Sequence, residues 1–276
     1  MSNGSRFPKR SGNDGCFMRK ALIGHTGFVG SNLLKQRGFT DCFNSKNFRE
    51  MAGQEFDEVV CAGIQAVKWW ANQNPDEDWA GIQPLLEVLG NATIRRMVLI
   101  STVDVYKTPV AVDETTPIET DGLHAYGLHR WRVEGWVRTT IADHMIVRLP
   151  GLFGHGLKKN LIFDLLSGKP VDGFDERSAF QFYHLDRLAG DLATAEAAGL
   201  RTVNFAVPAV TVADTAHRVT GTAFTNKTEN PPVAYDMQTI HGQSWGRGDQ
   251  YIASAGECLD AIETYARNWP AEGTSR

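Results

Sequence analysis

The sequence predicts a doubly wound α/β fold, a parallel sheet covered on both faces, and three observations carry that expectation. Short apolar runs of strand length recur at residues 21–23, 59–63, 97–100 and 145–149. Segments with helical spacing lie between them. In 75–90 the residues Trp79, Ile82, Leu85, Leu86 and Leu89 mark one face of a helix. At 276 residues the chain has room for a large core and a smaller second lobe. Short apolar strands alternating with amphipathic helices belong to a sheet buried on both sides.

The elements follow in order. Strand 21–23 enters a glycine-rich turn, and a helix then extends to about residue 36. A short strand falls near 41–44, and the acidic segment 56–58 leads into 59–63, which ends in small residues. Helix 75–90 precedes strand 97–100, and a helix around 126–142 precedes strand 145–149. From Pro150 onward Gly and Pro punctuate the chain. This predicts a sheet domain over 18–150 and a smaller lobe over 151–276, some of whose elements return to the sheet. Residues 1–17, rich in Gly, Ser and Arg and without an apolar stretch, read as a disordered leader. Met18 stands where a chain of this kind usually begins.

Composition excludes several classes of function. With 42% hydrophobic and 22% charged residues and a net charge of −4, the chain lacks the basic face a nucleic-acid binder needs. Cysteines at 16, 42, 61 and 258 form no C-x-x-C, so neither a metal site nor a disulfide framework is expected. A reducing, cytoplasmic setting fits that usage. No apolar run reaches the length of a membrane span.

In doubly wound sheets ligands gather at the carboxyl ends of the strands. The first such end holds Gly24-His-Thr-Gly27-Phe-Val-Gly30. Glycine permits the tight turn and a close approach of main-chain N–H groups to a pyrophosphate, while the next helix points its positive end at that charge. Strand before and helix after are what a dinucleotide-binding turn requires. Beyond 97–100, Ser101 and Thr102 place hydroxyls at the cleft; a simple strand-end cap is the other role open to Thr102. Tyr126 and Arg130, four apart, share one helix face. A phenol titrating near ~10 is a poor base at neutral pH, and bringing it to about 7 takes roughly 4 kcal/mol. A fixed cation beside it supplies part of that.

Taken together, these motifs resemble the short-chain dehydrogenase/reductase superfamily, and most of all its extended branch, the NAD-dependent epimerase/dehydratase family. Phe56-Asp-Glu-Val-Val-Cys-Ala-Gly is similar to that branch's third strand, Val112-Asp-Glu-Thr-Thr-Pro to its acidic-proline loop, and Arg148-Leu-Pro-Gly-Leu-Phe-Gly to its turn after the fifth strand. Phe180-Gln-Phe-Tyr-His-Leu-Asp resembles a buried segment of the small lobe, and the likeness spans roughly residues 18–210.

The resemblance implies a Rossmann-type sheet with a substrate-binding lobe, NAD or NADP as cofactor, and a sugar-like, nucleotide-linked substrate. It makes Tyr126 the acid/base, gives Thr102 a hydrogen bond to the reacting oxygen, and sets residue 130 on the nicotinamide ribose. Cofactor contacts fall on Gly24, Thr26, Gly27, Phe28, Val29 and Gly30, then on Asn44, Ser45 and Lys46. Further ones fall on Ala62, Gly63, Ser101, Tyr126, Arg130, Leu149 and Pro150. Thr102, Val103, Asp104, Gly151 and Asn160 face the substrate, with Asn160 read as a helix N-cap able to meet a phosphate. The branch implies pairing of two copies through the tyrosine helix, where Trp131 and Trp136 serve that face or the core.

Three departures stand out: Arg130 replaces a lysine, Phe180 a diphosphate-binding arginine, and Gly151 an asparagine. Lys158 and Lys159 can compensate for the second. No acid stands at 44–47, which inclines the choice towards NADP, with Lys46 near a 2′-phosphate; Asn44 can equally bond plain ribose. A catalytically silent NAD(P)-binding sensor or scaffold is the alternative function.

Overall fold

The structure, a computed structural model, describes residues 18–272; the leader read over 1–17 lies outside them. In chain order the first half contains β1 (Lys20–Ile23), α1 (Phe28–Gln36), β2 (Asp41–Phe43), β3 (Glu55–Cys61), α2 (Lys68–Gln73), α3 (Pro75–Gly90), β4 (Thr93–Thr102), β5 (Val110–Val112), α4 (Ala125–Thr140) and β6 (Asp143–Leu149). The second half contains β7 (Gly151–Phe153), α5 (Leu161–Leu166), β8 (Ala179–Phe180), β9 (Phe182–His184), α6 (Leu188–Ala197), β10 (Thr202–Asn204), β11 (Val210–Thr211), α7 (Val212–Thr220), β12 (Asp236–Met237) and α8 (Ala255–Glu272).

Six strands form one parallel sheet in the order β10-β6-β4-β3-β1-β2. Side-chain alternation along them builds two cores. Leu22, Val60, Val98 and Val147 pack with Leu33 of α1, Leu192 of α6 and Ile262 of α8. Ala21, Ile23, Val59, Cys61, Met97, Leu99 and Ile146 pack with Ile82, Leu85 and Leu89 of α3 and with Val133 and Val137 of α4. Burying a Val, Leu or Ile side chain contributes about 1.5–3 kcal/mol, so these two layers fix the helices that frame the strand ends.

The predicted strands and helices are present, with two extensions. β3 and β4 begin earlier than their apolar runs because main-chain pairing continues through Glu55↔Thr93 and Phe56↔Ile94. α2 is an additional short helix between β3 and α3. Three two-stranded pairs lie outside the main sheet: β7-β9 and β8-β11 past residue 150, and β5-β12, which joins the first half to the second, while β10 returns to pair with β6. Among the described residues no helix is long and apolar enough to cross a membrane.

The chain leaves β1 for β2 on one side, then crosses back to β3 on the other. The carboxyl ends of β1 and β3 therefore flank the crevice at which strand order reverses.

Candidate active site

The glycine turn closes tightly. Gly24 has φ +87°, and its N–H donates to the Phe43 carbonyl at 2.8 Å. A Cβ at Gly24 would stand 2.4 Å from the Ala62 carbonyl oxygen, and one at Gly30 only 2.1 Å from that of Gly24. Neither approach tolerates a side chain. α1 starts directly at Phe28 with no side-chain cap, so its first-turn N–H groups face outward from Gly27. His25 is held by Nδ1 on the Phe43 carbonyl, 3.0 Å away, in keeping with a structural role. At the end of β2, Asn44 Oδ1 accepts from the Lys46 N–H at 2.8 Å, and the Lys46 and Ser45 side chains are exposed.

Tyr126 sits in the first turn of α4, and four neighbours set its position. The Asn72 side chain, on α2, accepts from the Tyr126 N–H at 3.0 Å. His124 caps the helix, its Nδ1 accepting from the Gly127 N–H at 3.0 Å. The Arg130 guanidinium lies over the phenol ring, 3.9 Å from its centroid. Thr102, at the end of β4, exerts a minor lowering effect on the phenol's pKa, while its hydroxyl donates to Asp104 Oδ2 at 3.2 Å. Thr102 also caps the turn that follows, accepting from the Asp104 N–H at 3.1 Å, which is the strand-end cap open to it. A Cβ on Gly127 would fall 2.0 Å from the Asp104 carbonyl oxygen. Glycine there lets α4 press against the 103–105 turn, bringing Tyr126 to Thr102. Gly127→Ala should therefore part them. Despite the roughly 1 kcal/mol gain in helix propensity, overpacking of about 1–3 kcal/mol should leave a lower urea midpoint.

Arg130 is not arranged as the sequence predicts. Its Nη1 and Nη2 lie 2.6 and 3.1 Å from the Asp78 carboxylate, and it also donates to the Tyr126 and Gln65 carbonyls. His129 Nδ1 meets the same carboxylate at 2.7 Å, and all three side chains are buried. The guanidinium is thus engaged with α3 rather than open to a ribose. Nor is the phenol made more acidic. Burial raises the Tyr126 pKa, Arg130 lowers it, Asp104 raises it, and the net direction is upward. The predicted depression is corrected on that ground: desolvation of a phenolate outweighs a cation already neutralised by Asp78.

Three further expectations change. The Ser101 hydroxyl donates to Glu134 at 2.6 Å, facing α4 rather than the cleft. Val103 is packed among Val105, Tyr106, Val112, Ala206 and Met237, so its side chain cannot meet a substrate. Asn160 caps α5 as predicted, accepting from the Phe163 N–H at 3.0 Å, while its amide donates to the Leu152 carbonyl. The side-chain oxygen is thus used by the cap and the amide is held on Leu152, with one of its two hydrogens left over. Gly151 stands where a Cβ would be 2.7 Å from the Gln181 carbonyl, which explains the missing side chain. Phe180 belongs to an aromatic group with Phe174, Phe182 and Tyr235. His184 stacks on Phe153 at 4.5 Å, again structural.

Motif reading did not single out Lys68, Asn72, Asp78, His124 or Glu134. Asp78 could have been found, as a buried charge on the otherwise apolar helix stripe that continues through Ile82 and Leu85. Lys68 and Asn72 carry no such signal. Glu134 holds Arg148 by two bonds, at 3.0 and 2.8 Å, and Arg148 also donates to the Tyr106 hydroxyl at 2.6 Å. The arginine-led turn after β6 is thereby fixed to α4.

The fold is of the Rossmann type, with a six-strand parallel central sheet. Residues 39–168 match the model of the NAD dependent epimerase/dehydratase family, so the resemblance read from the motifs stands. No curated protein matches the sequence. Among solved structures, MoeE5 in complex with UDP-glucose and NAD is similar at 17% identity and TM-score 0.66, over 91% of this chain and 99% of that one. The UDP-glucose 4-epimerase of Thermotoga maritima is 14% identical, TM-score 0.66, over 92% and 100%. The NAD-dependent NDP-hexosamine 5,6-dehydratase TunA is 17% identical, TM-score 0.70, over 92% and 98%. At these identities the likeness is one of fold.

Proposed function

We propose that this chain is an NAD(P)-dependent oxidoreductase or epimerase acting at a hydroxyl or keto carbon of a sugar-like, nucleotide-linked substrate. The observation that carries it is Tyr126 in the first turn of α4, pressed through Gly127 against the turn that follows Thr102 at the end of β4, on the strand-end side where the glycine turn lies. Residues 18–150 would form the dinucleotide half and 151–276 the substrate lobe.

The crevice fits a dinucleotide: two glycines whose Cβ atoms would collide with backbone, followed by an uncapped helix N-terminus. Gly24 to Gly30 would hold the pyrophosphate, and the cofactor, when bound, supplies hydride exchange at its nicotinamide. Tyr126 exchanges a proton with the substrate oxygen while Thr102 keeps that oxygen in line. The absence of an acid after β2, together with exposed Lys46, supports NADP over NAD. Pairing of two copies along α4 belongs to the same proposal.

A silent NAD(P)-binding sensor remains the second reading, favoured by one observation, the engagement of Arg130 with Asp78. The deciding experiment titrates NADH and NADPH into the purified protein, then assays hydride transfer and epimerisation across nucleotide sugars and simple ketoses. Binding with turnover is expected, tighter for NADPH. Binding without turnover would favour the sensor, and no binding would overturn both.

A further inference from the structure

We propose that His25 recognises the 2′-phosphate of NADP together with Lys46, the outer nitrogen of its ring donating to that phosphate when protonated. The inference rests on the dinucleotide reading of the glycine turn and on its preference for NADP, and it adds a residue that makes that preference depend on pH.

The ring is held by one nitrogen and open at the other. His25 is the second residue of the glycine turn, and its Nδ1 lies 3.0 Å from the carbonyl of Phe43, the last residue of β2. A carbonyl oxygen only accepts, so Nδ1 carries the hydrogen. The same oxygen accepts from the Gly24 N–H at 2.8 Å, which ties turn and ring to one point on β2. In the neutral ring Nε2 is then a bare acceptor. Among the described residues it has no hydrogen bond and is not sealed from solvent.

The end of β2 is where the two forms of the cofactor are told apart. In a doubly wound sheet the adenosine ribose lies about there, and an acid bonds its 2′-hydroxyl. After Phe43 this chain has Asn44-Ser45-Lys46-Asn47, with no carboxylate. The Asn44 and Asn47 side-chain oxygens hold that turn together, accepting from the Lys46 and Asn44 N–H groups, both at 2.8 Å. Lys46 is exposed beside it. A lone pair at Nε2 repels a phosphate oxygen, whereas a proton there makes a charged donor.

The other titratable groups on the elements that meet at the turn keep their charge near neutral pH. Past β2 stand Lys46, Arg49 and Glu50, all exposed, with Arg49 over the Phe48 ring at 4.8 Å. Asp41, at the far end of β2, is paired with Arg19, and burial raises the Cys42 thiol. Cys61 closes β3, and burial pushes it up to about 11, so it is neutral. α1 carries no charge before Lys35 in its last turn. Histidine is the side-chain type among these whose charge changes between about pH 5 and 8.

The test titrates 2′,5′-ADP and 5′-AMP into the full chain across that range. Both carry a 5′-phosphate, so the ratio of their affinities isolates the 2′-phosphate. In wild type the preference for 2′,5′-ADP should be several-fold larger at about pH 6.5 than at about pH 8.5. A phosphate monoester, with its second pKa near about 6, gains charge as pH rises and alone would push the preference the other way. His25→Asn keeps an amide nitrogen where Nδ1 sits and has nothing where Nε2 sits. It should retain the wild-type urea midpoint and lose the gain on the acid side. Lys46→Met should weaken 2′,5′-ADP at every pH and leave that gain in place. By NMR the His25 titration, assigned by its loss in His25→Asn, should move up by about one unit with 2′,5′-ADP bound, equivalent to a tenfold gain in affinity. With 5′-AMP it should move much less.

Equal pH dependence in wild type and His25→Asn overturns the role of His25 while leaving the NADP reading in place, as does a His25 midpoint that 2′,5′-ADP fails to raise. No preference for 2′,5′-ADP over 5′-AMP at any pH overturns both. Neither measurement reads turnover, so the choice between enzyme and sensor is decided separately.

Discussion

Tyr126→Phe should lower turnover by about 10²- to 10⁴-fold while leaving dinucleotide affinity within a small factor of wild type. The substitution removes one oxygen and keeps the ring. The stacking of Arg130 on that ring, the burial in the first turn of α4 and the Asn72 anchor on the main chain are all retained. Binding of the cofactor, read by nicotinamide fluorescence, is therefore separable from proton exchange with the substrate. Because burial raises the phenol pKa, Tyr126 is protonated at neutral pH, the form that donates to a keto oxygen. The reducing direction should consequently hold its rate across neutral pH, while the oxidising direction should climb as pH rises towards the phenol's pKa. Undiminished turnover in Tyr126→Phe would remove the acid/base role and leave the sensor reading.

Asp78→Ala is expected to cost about 3–5 kcal/mol of stability, read as a lower urea midpoint with an unchanged slope. The carboxylate, nearly sealed from solvent, receives both terminal nitrogens of Arg130 and one nitrogen of His129. Its loss strands a guanidinium in the interior, where Arg130 Nε already has no partner among the described residues. Replacing both partners by apolar side chains, Asp78→Leu with Arg130→Met, should recover most of that loss, since a buried pair rarely outperforms good packing. The comparison separates structure from chemistry. If the double variant folds well and still turns over, Arg130 serves the fold; if it folds and loses cofactor affinity, the ribose contact implied by the family pattern returns. An Asp78→Ala effect below about 1 kcal/mol would mean the pair is solvated.

Much of this fold was legible because its signals are local. The apolar runs, the helical stripe of 75–90 and the glycine turn each declare themselves within a dozen residues. The strand-end rule then pointed to the crevice before any contact was known. What failed was partner choice. Arg130 finds Asp78 across the gap between α3 and α4, a contact 52 positions apart that spacing alone cannot register. Ser101 was recoverable from parity. It shares the face of β4 with Met97 and Leu99, which pack towards α3 and α4, and its hydroxyl duly meets Glu134 on α4. Taking every residue past the strand as cleft-facing overrode that alternation, and Val103 failed for the same reason. Lys68 and Asn72 escaped because α2 is short and polar, and its placement depends on docking to α4 rather than on its own pattern.

The return of β10 to the edge of β6 has a consequence for how the chain is made. Until residues 202–204 leave the ribosome, β6 presents a bare row of amide and carbonyl groups, although every other strand of the main sheet has already been synthesised. Such an edge invites pairing with a stranger, so the nascent first half is the species a chaperone would need to shield. A protein cut after residue 150 would carry that hazard permanently.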